Sequence, residues 1–148
     1  MGNAVFLLLG KEKRIVGAEL HGTRSKKWRG MAPGSSKHMG YFFINVYHDN
    51  SKHVIICESA IDAISYFAMN PNCIAISTSG VNSNPEWLSH AIKKGYQIYC
   101  GFDSDETGDI YAAKMISQFP SVKRLRPLAH DWNDVLLSII PHRIFFYS

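Results

Sequence analysis

Residues 54–65 read VIICESAIDAIS and residues 98–108 read IYCGFDSDETG, and the two stretches follow one pattern. Each opens on an unbroken apolar run, reaches a carboxylate, and passes at once into helical spacing. A continuous apolar run marks a strand covered on both faces. In the first stretch Ser59 stands where a helix cap belongs, with Asp62 three residues on as in a capping box. Ile61, Ile64, Phe67 and Ala68 then make an apolar stripe. In the second, a helix is expected from Thr107 to Phe119, with Ile110, Ala113, Ile116 and Phe119 on its inner face and Pro120 ending it.

Outward from these stretches the alternation continues. Cys73–Ser77 reads as the second strand. Asn84 offers a cap with Pro85 at the first helical position, Trp87, Leu88, Ala91 and Ile92 face inward, and Gly95 closes that helix. Gln97–Phe102 is the third strand, Val122–Arg126 a short fourth, and Asp131 caps a last helix to about Leu137. Strands alternating with helices imply right-handed crossovers and a mostly parallel sheet with helices on both faces. Ligands of such sheets bind beyond the carboxyl ends of the strands.

The carboxylates gather at that edge. Glu58 ends the first strand of the series, and Asp103 and Asp105 follow the third. Residues i and i+2 of an extended segment point the same way, so the two aspartates can face one point. Three hard oxygen donors suit Mg²⁺, with Mn²⁺ as the alternative ion. If Glu58 and Asp103 share an ion, the first and third strands are neighbours at ~4.8 Å, and the four-stranded sheet has the order 2-1-3-4. Each acid taken singly can equally cap or charge a helix N-terminus.

Residues 1–53 have a different texture. Ala4–Leu9, Ile15–Leu20 and Tyr41–Tyr47 read as strands, Lys11–Arg14 as a turn, and His21–Met39 as a long polar loop. The expected organisation is a β-rich basic extension over 1–53, an α/β core over 54–140 and a tail over 141–148. The apolar Ile144–Tyr147 in that tail reads as a docked edge strand or a truncation scar. The front carries nine basic and three acidic side chains, a net +6, whereas the remainder nets −2. A basic front and an acidic back suit a module that holds a polyanion and presents carboxylates to it.

Composition narrows the class. With 148 residues, 46% hydrophobic and 19% charged, the chain can bury one core and does not read as disordered. No apolar run approaches the ~18–20 residues of a membrane span, and a cytoplasmic location is expected. Cys57, Cys73 and Cys100 are an odd number set in apolar runs, which favours buried thiols over a disulfide or zinc.

The acidic motifs together resemble the Toprim domain shared by bacterial DNA primases, topoisomerases, certain nucleases and recombination proteins. VIICESAIDAIS is similar to the primase form, in which Asp62 follows the glutamate by four. IYCGFDSDETG matches the Asp-x-Asp form with Gly108 three residues on. HDWNDVL at 130–136 looks like the third acidic motif of primase-like Toprim proteins of plasmids and mobile elements, where Asp131, or else Asp134, completes the site. GAELHGT at 17–23 and GSSKHMGYF at 34–42 resemble the segment ahead of the core in those proteins.

The resemblance implies a Rossmann-like Toprim fold and a Mg²⁺-assisted phosphodiester or nucleotidyl-transfer site. Asp103 and Asp105 would hold the ion, Glu58 would be a general acid or base or a further ligand, and Asp131 a secondary ligand. Ser79 and Gly80 could offer groups to phosphate, and Lys26, Lys27, Arg29 and Lys37 would hold a nucleic acid, DNA in the first place. Trp28 among them could stack on a base. No Cys/His quartet builds the zinc module of bacterial primases, so a fragment is expected, or a chain working with helicase or other replication or mobilisation domains. Two other readings compete. One is a non-catalytic accessory module. The other is a haloacid-dehalogenase-like phosphatase using Asp103, Asp105 and Thr107 as DxDxT, which leaves Glu58 without a role.

Overall fold

The computed structural model describes residues 2–24, 28–46 and 50–140, and it places them in two sheets. The larger is built around β5 (His53–Cys57), whose alternate residues are all needed inside because both faces are covered. Two parallel neighbours flank it, β6 (Ile74–Ser77) and β7 (Gln97–Cys100). Outside β7 lies the short parallel β8 (Lys123–Arg124), and outside β6 the antiparallel β4 (Phe42–Ile44). Counted from β5, the order β6-β5-β7-β8 is the expected 2-1-3-4, with β4 as a fifth strand.

Four helices cover this sheet: α1 (Ala60–Met69), α2 (Leu88–Lys93), α3 (Glu106–Gln118) and α4 (Trp132–Ile139). Val54, Ile56, Ile76, Ile98 and Cys100 pack with Leu88 of α2 and with Ala112 and Met115 of α3 on one face. Ile55, Cys57 and Ala75 pack with Ala63 of α1 and Trp132 of α4 on the other. The cysteines are buried and form no disulfide, as their setting in apolar runs predicts.

The smaller sheet, in the order β1-β2-β3, is antiparallel and comprises β1 (Asn3–Leu9), β2 (Ile15–Gly22) and β3 (Arg29–Met31). It joins the larger one where Leu9 and Tyr41 exchange backbone hydrogen bonds of 3.0 and 3.2 Å. Phe6 sits edge-on to Phe42 beside that joint, with centroids 5.5 Å apart. The front segment therefore feeds both sheets.

Several sequence expectations need correction. The polar loop after His21 contains β3, which the hydrophobic pattern hides because Arg29, Gly30 and Met31 pair through backbone with β2. The strand expected at Tyr41–Tyr47 is limited to Phe42–Ile44, and Tyr47 lies outside the described residues. The second helix starts at Leu88, not Pro85, because the Asn82 Oδ1 accepts the Asn84 N–H at 3.0 Å and the following residues form a turn. On α1 Phe67 packs on the core as expected, beside the fully buried Ala60 and Ala63, while Ala68 is exposed.

Of the inner face expected for α3, Ile116 and Phe119 pack on the core, but Ile110 is 46% exposed and Ala113 is exposed, while Gly108, Ala112 and Met115 are buried. The cause is Gly108, where a Cβ would lie 2.2 Å from the Asp103 carbonyl oxygen and 3.1 and 3.2 Å from its carbonyl carbon and nitrogen. Backbone this close fixes which side of the helix faces the sheet. Ile144–Tyr147, read as a docked edge strand or a truncation scar, lies outside the described residues.

Replacing a helical glycine by alanine ordinarily gains up to ~1 kcal/mol of helix propensity. At position 108 the clash is with backbone, which cannot yield as a side-chain end can, so overpacking wins. Gly108→Ala is expected to lose ~1–3 kcal/mol in denaturant unfolding; a variant as stable as the parent would contradict this packing.

Candidate active site

Strand register brings the acids together. Ile56 pairs with Cys100, so the chain leaves β5 and β7 side by side and Glu58 meets the residues after β7. The Asp103 backbone N–H donates to Glu58 Oε1 at 3.1 Å, linking the two predicted residues directly. Both are buried, Glu58 at 8% and Asp103 at 5% exposure. Asp103 Oδ1 has no hydrogen-bond partner among the described residues. An ionised oxygen left in that condition is costly. Burial, and then the neighbouring charges of Glu58, Asp62 and Asp131, push the Asp103 carboxyl up to about 7. Glu58 is also raised, by burial first, against the opposing hydrogen bond from Asp103.

The remaining acids serve the helices as well as the site. Asp105 caps α3, its Oδ1 accepting the Gly108 N–H at 2.7 Å. Asp131 caps α4, its Oδ1 accepting the Asp134 N–H at 2.7 Å. Asp62 is enclosed: one oxygen meets the Ser59 hydroxyl and the other accepts the Asn133 N–H at 3.2 Å. It supports the junction of α1 and α4, and burial raises its carboxyl. His130 lies between Asp105 and Asp131, at 3.7 and 3.5 Å.

Donor atoms of Asp103, Asp105 and His130 lie within 4.8 Å of one another, as do those of His130, Asp131 and Asp134. The fit to a divalent cation is good on chemical grounds. One buried Asp103 oxygen lacks a partner among the described residues, the Asp105 carboxylate and the His130 imidazole have donor atoms within reach of Asp103, and a cation would reverse the charge repulsion now felt there. Glu58 lies next to this group without belonging to it.

The basic front reaches the acids through Arg29. It lines a cleft of about 170 Å³ with Glu19, Glu58, Ser79 and Gly80, and its charge favours ionisation of both Glu58 and Asp62. Lys37 approaches the Ser79–Gly80 turn, its Nζ 3.9 Å from where a Gly80 Cβ would sit. The backbone N–H groups of that turn are engaged: Gly80 donates to the Glu58 carbonyl at 2.7 Å and Ser79 to Ser77 Oγ at 3.1 Å. Trp28 is 51% exposed and lines, with Arg29, His21, Asp62 and Asp131, a cleft of about 530 Å³. Lys26 and Lys27 lie outside the described residues.

Sequence reasoning missed Glu19. This carboxylate of β2 is only 4% exposed and accepts from the Ala60 N–H at 3.1 Å, Ser77 Oγ at 3.0 Å and Ser79 Oγ at 3.1 Å, with His21 Nε2 at 2.7 Å. The available signal was a lone acid inside an otherwise apolar strand, in GAELHGT.

With this geometry in place, a profile of the family described as Toprim-like matches residues 55–136. The chain belongs to the Toprim-like family. It is 34% identical over 156 residues to the "65 kDa protein" of Zymomonas mobilis subsp. mobilis, covering 92% of this chain and 26% of that one. This Toprim-like chain thus spans about a quarter of that relative's length. The primase fragment of the bacteriophage T7 primase-helicase protein superposes with a TM-score of 0.66 at 16% identity, covering 90% of this chain and 57% of that one. A DNA primase domain from Pseudomonas aeruginosa gives 0.62 at 18% identity, covering 93% and 47%. The fold is therefore that of primase Toprim regions. Among the described residues no helix is long and apolar enough to cross a membrane.

The Asp103 carboxyl sits at about 7 when folded against an ordinary 3.8, so between those values the folded chain takes up a proton that the unfolded chain does not. Stability from this group is therefore present at low pH and lost as pH rises through about 7. In EDTA, Asp103→Asn is expected to raise the thermal midpoint at pH 8, with the advantage over the parent shrinking by pH 5. A gap independent of pH across that range would contradict the burial of a charge there.

Proposed function

We propose that this chain is the Mg²⁺-dependent Toprim module of a primase-like protein that transfers nucleotides to, or cleaves phosphodiesters in, nucleic acid, with DNA as the polymer. The observation that carries this reading is the buried Asp103 Oδ1, which has no partner among the described residues, on the residue whose backbone N–H holds Glu58. Asp103 and Asp105 would hold the ion, which when bound neutralises phosphoryl oxygens and activates the attacking hydroxyl or water. Asp131 stands beside them as a secondary ligand or as the support of His130.

Glu58 has the properties of the proton-handling group. Burial raises its carboxyl toward the working range of a general acid or base, and its Oε1 is fixed by the Asp103 N–H, which leaves Oε2 for the proton. Arg29, in the same cleft, would hold a phosphate against it. Lys37 and the predicted partners Lys26 and Lys27 would add contacts to the backbone, and Trp28 a stacking face for a base. The small share of the Zymomonas relative that the chain covers supports action alongside further domains, and the T7 neighbour, a primase-helicase protein, makes helicase domains the natural class of partner.

A phosphatase using Asp103, Asp105 and Thr107 is disfavoured by the Toprim-like family match and by the contact of Asp103 with Glu58, which that chemistry leaves idle.

Calorimetry should detect Mg²⁺ and Mn²⁺ binding at millimolar concentration or below, weakened roughly tenfold or more by Asp103→Asn or Asp105→Asn. Nuclease and primer-synthesis assays on single-stranded DNA with either ion, on this chain and on a longer parent, then test turnover. Failure of either ion to bind would sink the metal-dependent reading, and binding of ion and DNA without turnover in either chain would make the module an accessory one.

The basic rim has its own expected outcome. Arg29→Ala and Lys37→Ala should each weaken single-stranded DNA binding and lower the slope of log affinity against log salt by about 0.7. Slopes matching the parent would return both residues to the solvated surface.

A further inference from the structure

We propose that His130 is a nitrogen ligand of the cation held at Asp103 and Asp105, and that it tunes the site toward a first-row transition ion such as Mn²⁺ over Mg²⁺. This rests on the metal-dependent reading above and names the residue that decides which ion is used.

The histidine is placed by backbone rather than by chance surface contact. The Ser104 N–H, inside the Asp-x-Asp turn, donates to the His130 carbonyl at 2.7 Å, and the Ser104 hydroxyl donates to the Pro127 carbonyl. The loop between β8 and α4 is thus tied to the turn that carries the two aspartates.

The ring is oriented as a ligating imidazole is. Nε2 faces Asp105 Oδ2 at 3.7 Å, while Nδ1 faces Asp131 Oδ2 at 3.5 Å. One nitrogen directed at a carboxylate outside the donor set and the other at the donor set is the arrangement in which Nδ1–H donates to the carboxylate and Nε2 presents its lone pair to a metal. Asp131 is held for that task, because its Oδ1 is committed to the Asp134 N–H. Donor atoms of Asp103, Asp105 and His130 fall within 4.8 Å of one another. Independently of this cluster, Asp103 keeps a buried oxygen without a partner.

Ligand chemistry sets the preference. An all-oxygen site with waters suits Mg²⁺, whereas imidazole shifts affinity toward transition ions and adds little for Mg²⁺. The competing role for His130 is that of a protonated counter-charge between two carboxylates. Such a group would be repelled by an incoming dication and would leave the ratio of Mn²⁺ to Mg²⁺ affinity unaltered.

His130 is exposed, so His130→Gln and His130→Ala should fold. Calorimetry with Mn²⁺ and with Mg²⁺ on the full chain is expected to show Mn²⁺ affinity falling roughly tenfold in both variants, Mg²⁺ affinity falling less, and their ratio dropping accordingly. Pulsed electron paramagnetic resonance of bound Mn²⁺ should show a directly coordinated nitrogen in the parent that is lost in His130→Gln. An unchanged ratio with no nitrogen coupling would overturn the assignment and leave the counter-charge role. Binding that needs Asp103 but ignores His130 defeats only this inference, whereas no binding at all, or binding indifferent to Asp103→Asn, defeats the metal-dependent reading itself.

Discussion

The Glu19 carboxylate lies between the two sheets, buried against the first turn of α1, and four groups from three parts of the chain converge on it. Burying a charge is costly unless the surroundings supply hydrogen bonds and positive potential. Here they do. The Ala60 N–H is one of the orphan donors of a helix start, where the helix dipole favours an anion, and two serine hydroxyls and His21 complete the shell. Removing the carboxylate would leave these donors unsatisfied at about 1–3 kcal/mol for each one that water cannot reach. The contact also brackets Glu58. On one side Glu19 holds Ala60, two residues along. On the other it holds Ser79, a non-glycine residue at φ +52, and the next residue, Gly80, donates to the Glu58 carbonyl. The smaller sheet is therefore part of the framework that fixes Glu58.

The acidic edge raises a second physical problem, which the fold handles by dividing labour among its carboxylates. Asp105 and Asp131 spend one oxygen each on a helix N-terminus, where negative charge is favoured. Asp62 is consumed by Ser59 and Asn133. Asp103 receives none of these compensations on its Oδ1, and it carries the largest upward displacement described among these acids. The protein thus concentrates its electrostatic discomfort on one atom at the sheet edge. A structure selected for stability alone would place a neutral side chain there; a site for a cation has reason to keep the acid.

Much of this was legible in sequence, for identifiable reasons. The strand order followed from one chemical demand, that Glu58 and Asp103 meet, and the caps Ser59, Asp105 and Asp131 follow from short-range rules that act within three residues. What escaped depends on distant partners. β3 has no local pattern and exists because β2 supplies its hydrogen bonds, whereas β4 reads as a strand but its pairing with β6 of the other sheet has no local sign. The first turns of the inner face of α3 were misassigned because Ile110 outweighs Gly108 in hydrophobicity, although Ile116 and Phe119 do face the core. The absent Cβ of Gly108, which if present would lie 2.2 Å from the Asp103 carbonyl oxygen, decides the matter by steric exclusion. Glu19 was missed for the same kind of reason: three of its four partners lie 41 to 60 residues away.

The uneven charge of the chain takes on a definite geometry through these long-range contacts. A net +6 front and a net −2 back could lie on opposite sides of a domain, where they would do little for one another beyond a Debye length of ~10 Å. Instead β3 brings Arg29 into the cleft with Glu58, close enough that its charge acts on both Glu58 and Asp62. A phosphate entering that cleft would meet a guanidinium from one sheet and, through a bound cation, the carboxylates of the other. On the proposed function the smaller sheet would bring the Arg29 guanidinium to carboxylates held by the larger one, and the Glu19 contact ties the two sheets together beside that cleft.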